Sequence, residues 1–156
     1  MEQSNQSNDF IENFIHGAGK LGFSFSEEVL GKFALYYDEL CRWDRSINLT
    51  GLRTDSERTV LLFIDSLAGH FALGNNPDGR IVDIGTGGGF PGIPLKLAFP
   101  ALEVVLMEPR SNKTAFLHNI IGKLDLPKIS VVQRRLEDFD SMAVQEEKCA
   151  VALCNG

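Results

Sequence analysis

The run Ile81-Val82-Asp83-Ile84-Gly85-Thr86-Gly87-Gly88-Gly89-Phe90-Pro91-Gly92 constrains this chain more than any other segment. Ile81, Val82 and Ile84 form a β-branched stretch, as expected of a central strand buried on both faces. Gly85, Gly87, Gly88 and Gly89 allow positive φ and bring backbone close to a ligand. Pro91 suits an early helix position, where its missing N–H costs nothing. A strand running into a glycine loop and then a helix predicts an α/β fold. It is also the turn that holds a nucleotide-like cofactor.

Two cofactor classes use such a turn. A dinucleotide site reads G-x-G-x-x-G and sets the pyrophosphate on the helix N-terminus. Here Phe90 stands where that pattern wants the third glycine or alanine. The segment fits instead an acidic-x-Gly-x-Gly-x-Gly form running from Asp83 to Gly89. A carboxylate at that strand end repels a pyrophosphate but can receive the ammonium of S-adenosylmethionine. Glu108 ends the strand Val104-Val105-Leu106-Met107, nineteen residues after Gly89. An acid in that place takes the ribose hydroxyls of either cofactor. The pair favours S-adenosylmethionine; a nicotinamide-dependent oxidoreductase is the alternative, disfavoured by Phe90 and Asp83.

Around this turn the chain divides at the cluster Asn75-Asn76-Pro77-Asp78-Gly79. Residues 1–79 read as a helical N-terminal extension. After a polar start from Met1 to Asn8, Phe10, Ile11, Phe14 and Ile15 recur at helical spacing. Ser26 opens a second helix with apolar Leu30, Phe33, Ala34, Tyr37 and Leu40. A third is expected from a capping Asp55 through Phe63 and Leu67 to about Phe71. Residues 80–156 read as an α/β domain with strands over Arg80–Ile84, Glu103–Glu108, Ile129–Arg134 and Cys149–Cys154.

Charge does not advertise a nucleic-acid partner. Residues 1–79 hold twelve acids and six bases, and residues 80–156 nine of each, in a chain of net charge −6. Local basicity remains: Arg42, Arg45, Arg53 and Arg58 lie in or beside the segment Trp43–Thr50, and Lys96, Arg110 and Lys113 are placed to flank the glycine loop. Trp43 is able to stack on a base but more often serves packing in such a helical context. Cys41, Cys149 and Cys154 contain no C-x-x-C pair and fit reduced thiols. His16, His70 and His118 have no H-x-x-x-H companion, so no metal site is expected. The apolar stretch Val60–Ile64 is too short to span a bilayer, and no signal peptide is visible, which predicts a cytoplasmic protein without a membrane partner.

The string from Asp83 to Leu95, with its Gly89-Phe90-Pro91-Gly92-Ile93-Pro94 core, resembles the cofactor motif of the bacterial glucose-inhibited division protein B family. Trp43-Asp44-Arg45-Ser46-Ile47-Asn48-Leu49-Thr50 resembles the W-N-x-x-x-N-L-T segment leading into the catalytic domain of that family. Asp65-Ser66 resembles its D-S pair, and Arg135-Leu136-Glu137 its R-[AV]-E segment near the adenine. The resemblance implies a Rossmann-like class I methyltransferase sheet and S-adenosylmethionine-dependent formation of 7-methylguanosine in 16S ribosomal RNA. It assigns the cofactor to Asp83, Gly85, Thr86, Gly87, Gly89, Phe90, Glu108, Leu136 and Glu137. It leaves Arg45, Asn48, Arg110 and Lys113 as RNA contacts. No catalytic side chain is required, because guanine N7 already presents an unprotonated lone pair.

The departures from the family pattern matter equally. Leu61 and Leu62 occupy slots where the family carries a basic residue and histidine, and Asn112 precedes Lys113 where it has two bases. Where the family runs into a Ser-Arg-Ala-like segment, this chain reads Leu153-Cys154-Asn155-Gly156. A methyltransferase sheet of this kind has seven strands, so about four implies an incomplete sheet lacking its C-terminal strands. Its free edge then invites self-association. A non-catalytic S-adenosylmethionine-binding remnant or regulatory module is therefore the leading alternative to the enzyme acting on 16S ribosomal RNA or the small ribosomal subunit.

Overall fold

A computed structural model of the chain describes residues 2–52, 54–73, 79–135 and 151–154. Helix α1 covers Glu2–Lys20 and α2 covers Glu27–Ile47. The expected polar start is helical from Glu2, and Ser7 Oγ donates to Asp38 Oδ1 of α2 at 2.6 Å. The buried stripe on α1 is Phe10, Phe14 and Ala18, while Ile15 is 48% exposed. Residues four apart share a helix face, whereas Ile15 sits about 100° round from Phe14. Ser26 caps α2 as expected, accepting the Val29 N–H at 3.3 Å. Phe10 stacks on Tyr37 at 4.2 Å, and Phe14 packs on Phe33 at 4.4 Å.

The third helical segment differs from its expectation. Thr54 is the cap rather than Asp55, in a capping box with Glu57. Beyond it α3 (Asp55–Glu57) gives way to a π-helical stretch Arg58–Ile64, then α4 (Asp65–Ala68) and α5 (His70–Leu73). The wider turn brings Phe63 into the aromatic core, 4.8 Å from Phe10, 5.2 Å from Tyr36 and 5.1 Å from Phe90. A helix turn of this kind spaces its hydrogen bonds over one extra residue. Ser66 Oγ donates back to the Leu62 carbonyl, and the Asp65 N–H reaches the Leu62 and Val60 carbonyls. Amphipathic spacing cannot register that extra residue, so sequence reads one continuous helix.

Strands β1 (Arg80–Ile84), β2 (Glu103–Met107), β3 (Ile129–Val132) and β4 (Val151–Cys154) form one parallel sheet in the order β3-β2-β1-β4. Among the described residues four strands fall where expected, β2 ending one residue and β3 two residues inside the predicted bounds. Helices α6 (Gly92–Ala98) and α7 (Ser111–Leu124) connect β1 to β2 and β2 to β3. Ile81, Val104 and Leu106 face the large core shared with α1, α2, α6 and α7. Val82, Val105 and Met107 form a second cluster on the opposite face. Both faces are buried, as parallel strands require.

A buried polar bolt ties α2 to α7. Glu39 accepts from Arg42 at 2.7 Å, Asn119 at 3.0 Å and Lys123 at 2.7 Å. Burial pushes its carboxyl up, but Lys123, Asn119 and Arg42 outweigh that and hold it below the usual value. Trp43, partly buried, packs edge-on against Phe116 at 5.6 Å on the margin of the core. Lys96 corrects another expectation: it is 1% exposed and donates to the Pro100 carbonyl at 2.6 Å and the Leu102 carbonyl at 2.5 Å. It anchors the turn between α6 and β2 and does not flank the glycine loop. Among the described residues no helix is long and apolar enough to cross a membrane.

Candidate functional site

In this order β1 is the strand from which the chain steps to one side through β2 and β3 and to the other side at β4. Open parallel sheets bind ligands outside the carboxyl ends of their strands at such a reversal. The glycine loop lies there, folded over the end of β2: the Gly85 and Thr86 N–H groups donate to the Met107 carbonyl at 2.9 and 3.1 Å. Pro91 stands just outside α6, after a cis Phe90–Pro91 peptide, rather than inside the first turn.

Side chains from several elements hold this loop. Asp83 is 0% exposed, and its Oδ2 accepts from the Thr86 hydroxyl at 2.6 Å and the Gly92 N–H at 2.8 Å. Its Oδ1 has no hydrogen-bond partner among the described residues. Burial pushes the carboxyl up to about 7, against the lowering effect of Thr86 and Gly92. Glu108, also buried, accepts the Gly87 N–H on Oε2 at 3.0 Å and the Arg110 N–H on Oε1 at 2.9 Å. From the helical half, the buried Tyr36 hydroxyl donates to the Gly88 carbonyl at 2.5 Å, and its ring stacks on Phe90 at 5.1 Å. Burial and then the Asp83 charge raise the phenol well above its ordinary value, so it stays a donor.

Two crevices open on either side of Gly85. The first, of about 430 Å³, lies over the ends of β1 and β2 between Ile84, Met107, Pro109, Arg110 and Arg134. The second, of about 300 Å³, is walled by Gly87 and Phe90 on one side and by Leu49, Thr50, Leu61 and Leu62 on the other. Lys113 borders it and donates to the Leu49 carbonyl at 3.1 Å. Asp44 shapes the facing loop, accepting from the Thr50 N–H at 2.9 Å and from Arg58 at 3.1 Å.

Gly87 has φ +57, and a Cβ there would meet nothing closer than 3.8 Å. Its backbone is thus open toward the second crevice. Gly89 is different: with φ +95, its Cβ would lie 2.5 Å from Ile93 Cδ1 and 2.8 Å from the Tyr36 hydroxyl. Gly89 serves packing, and it lines neither crevice.

The expected site residues therefore separate. Gly85, Thr86, Gly87 and Phe90 line the second crevice, Gly85 and Arg110 the first, and Lys113 the second. Phe90 is 2% exposed and mainly a core ring. Asp83 departs from its expected placement: its carboxylate is turned into the loop and opens on neither crevice. Its two donors pull it there. Arg45 is exposed, and Asn48 is the left-handed C-cap of α2, its Oδ1 accepting the Gly51 N–H at 3.1 Å. Arg58 is a structural ion-pair partner of Asp44 and Asp55 rather than a free cation. Leu136, Glu137, Arg53 and Cys149 lie outside the described residues. Tyr36 was not foreseen; its signal is a phenol inside an apolar helix stripe, which needs a partner when buried.

The family model described as rRNA small subunit methyltransferase G matches residues 30–156. The chain belongs to the GidB family. Curated relatives named ribosomal RNA small subunit methyltransferase G are 39% identical over 124 residues in Acetivibrio thermocellus and 37% identical over 133 residues in Acinetobacter baylyi. These matches cover 80% and 85% of this chain, and 51% and 61% of the relatives. The chain thus spans little more than half the length of these GidB proteins. A crystal structure of a Plasmodium falciparum protein assigned as a protein-L-isoaspartate O-methyltransferase, in complex with S-adenosyl-L-homocysteine, superimposes with a TM-score of 0.52 at 14% identity. It covers 88% of this chain and 67% of that one, and it shows a shared Rossmann-like α/β fold.

Proposed function

We propose that this GidB chain binds S-adenosylmethionine across the two crevices around Gly85, and that the protein transfers its methyl group to N7 of a guanine in 16S ribosomal RNA. The observation that carries this reading is the glycine loop at the sheet's reversal point, where Gly85 lines both crevices and Gly87 lines the second with no atom within 3.8 Å of where a Cβ would lie. The donor set supports the cofactor. Glu108 keeps lone pairs beyond its two backbone donors, which suits ribose hydroxyls. Asp83, which opens on neither crevice, would act behind the loop, holding Thr86 and the Gly92 N–H in place. Gly85 and Gly87 would approach the methionine portion by backbone; Thr86, Gly89 and Phe90 would hold the loop in shape. Leu136 and Glu137 would meet the adenine.

When bound, S-adenosylmethionine supplies an electrophilic methyl group on a sulfonium. The chain's part is alignment: the guanine ring must present N7 in line with that methyl, with Leu62 and Phe90 as apolar walls of the second crevice. Proximity and orientation supply the acceleration, with no general base. Arg110 and Lys113 would meet RNA phosphates at the two mouths, with Arg45 and Asn48 on the rim beyond.

Transfer of labelled methyl from S-adenosylmethionine to small ribosomal subunits lacking the modification tests the activity. Label in 7-methylguanosine supports it, and no label with a bound cofactor rejects it. In that case the non-catalytic reading stands, which Leu61 and Leu62 at the crevice mouth favour. In this reading the protein works in the cytoplasm, and sedimentation tests whether the β4 edge pairs two copies.

A further inference from the structure

A third cavity, of about 410 Å³, lies outside the proposed cofactor site, between α1 and the π-helical stretch Arg58–Ile64. Leu21, Val60 and Ile64 give it an apolar floor, and Asn13, His16 and Lys20 stand at its α1 side. No carboxylate is among the described residues lining it, although the surrounding half of the chain is acidic. Its volume falls in the range of ordinary ligand pockets. The floor is held tightly: a Cβ on Gly17 would lie 2.1 Å from Ile64 Cδ1, so α1 and the π stretch touch at backbone distance.

Consecutive residues of that stretch serve different cavities. Thr59, Val60 and Ile64 line this one, while Leu61 and Leu62 line the second crevice beside the glycine loop. Val60 and Leu61, 50% and 54% exposed, form an apolar crest between the two. Single-stranded RNA is bound by stacking of splayed bases on aromatic rings or guanidinium planes, by hydrogen bonds to base edges and by cations on the phosphates. The amide, imidazole and ammonium around this cavity offer the last two, and the aliphatic crest offers a base apolar contact in place of a stacking ring.

We propose that this cavity is a second RNA subsite, which takes a nucleotide flanking the target while the target base enters the second crevice across the Val60–Leu61 crest. His16 and Lys20 meet its phosphate, and Asn13 faces the base edge. The inference rests on the reading of the chain as an RNA methyltransferase, and it gives that RNA a path over the helical half.

The test compares Lys20→Glu with Lys32→Glu, an equal charge change on α2 away from the cavity, in binding of a 16S ribosomal RNA transcript across a salt series. S-adenosylmethionine titrations run on the same samples. The expected result is RNA affinity about tenfold lower for Lys20→Glu, with a salt dependence about one phosphate contact shallower. Lys32→Glu should match the unchanged protein, and all three should bind cofactor equally. A second variant, Val60→Glu on the exposed crest, should weaken RNA binding likewise. Equal RNA binding by all variants, an equal loss in both lysine variants, or no RNA binding by the unchanged protein overturns the subsite. Loss of cofactor binding in the unchanged protein would instead strike the proposed function.

Discussion

The two walls of the second crevice are built on opposite principles. The glycine-loop wall is gripped from behind by buried groups on β1, the end of β2 and α2: Asp83, Glu108 and Tyr36 each bond to loop backbone or to Thr86. The facing wall hangs on a π-helical stretch whose residues Leu61 and Leu62 reach solvent. One wall is fixed before any ligand arrives, as backbone recognition of a constant cofactor demands. The other is less constrained and presents side chains, which suits contact with a larger and more varied partner. Rigid geometry and adjustable surface are thus separated across one narrow gap.

The largest effect that sharpens this contrast should come from Gly92→Ala. A Cβ there would lie 2.5 Å from Leu106 Cδ2 and 2.8 Å from Asp83 Oδ2, so strand, helix and loop must all shift. Thermal or urea unfolding should show a loss on the order of 3 kcal/mol; a neutral result would mean that the loop wall is not tightly packed.

Asp83→Asn comes next. With its folded carboxyl raised to about 7, Asp83 is protonated in the folded chain but ionised in the unfolded chain from about pH 4 upward. The folded state binds the extra proton, so stability should fall as pH rises from about 4 to 7, then level off. The span corresponds to a few kcal/mol, roughly 1.4 per pKa unit. The asparagine variant should flatten that slope in unfolding curves collected across this range. An identical slope in both proteins would remove Asp83 as the buried acid of the loop.

Tyr36→Phe removes one donor while keeping the stacked ring. The Gly88 carbonyl would lose its partner, at a cost of about 1–2 kcal/mol, and the affinity for S-adenosylmethionine should drop measurably in calorimetry. Leu61→Ser probes the other wall and should change stability by less than about 0.5 kcal/mol, since the side chain is largely exposed. A loss as large as that of the glycine variant would erase the distinction between the walls.

How far the sequence disclosed this arrangement depends on whether each signal is local. β1 and the glycine loop follow from consecutive residues, so that strand and the turn after it were legible, although Pro91 falls just outside α6. The Ser26 cap was equally local. Lys96 was misplaced because nothing nearby in sequence says that its ammonium turns back to the Pro100 and Leu102 carbonyls. Asp83 was expected to face the cofactor, but the direction of its carboxylate is set by Thr86 and Gly92 folding over it, which no local pattern encodes. Tyr36 bonds a residue 52 positions away, a separation that no spacing pattern encodes. The π-helical stretch escaped for a different reason: its apolar residues keep a helical rhythm while the turn beneath them widens.

Titration calorimetry with S-adenosylmethionine on the unchanged chain and on Gly85→Val tests the central claim most directly, because Gly85 borders both crevices. One binding site per chain is expected, lost in Gly85→Val because valine is strained at the φ of 71 that Gly85 adopts beside both crevices. Undetectable binding to the unchanged chain, or unaltered affinity in a folded Gly85→Val variant, would contradict it.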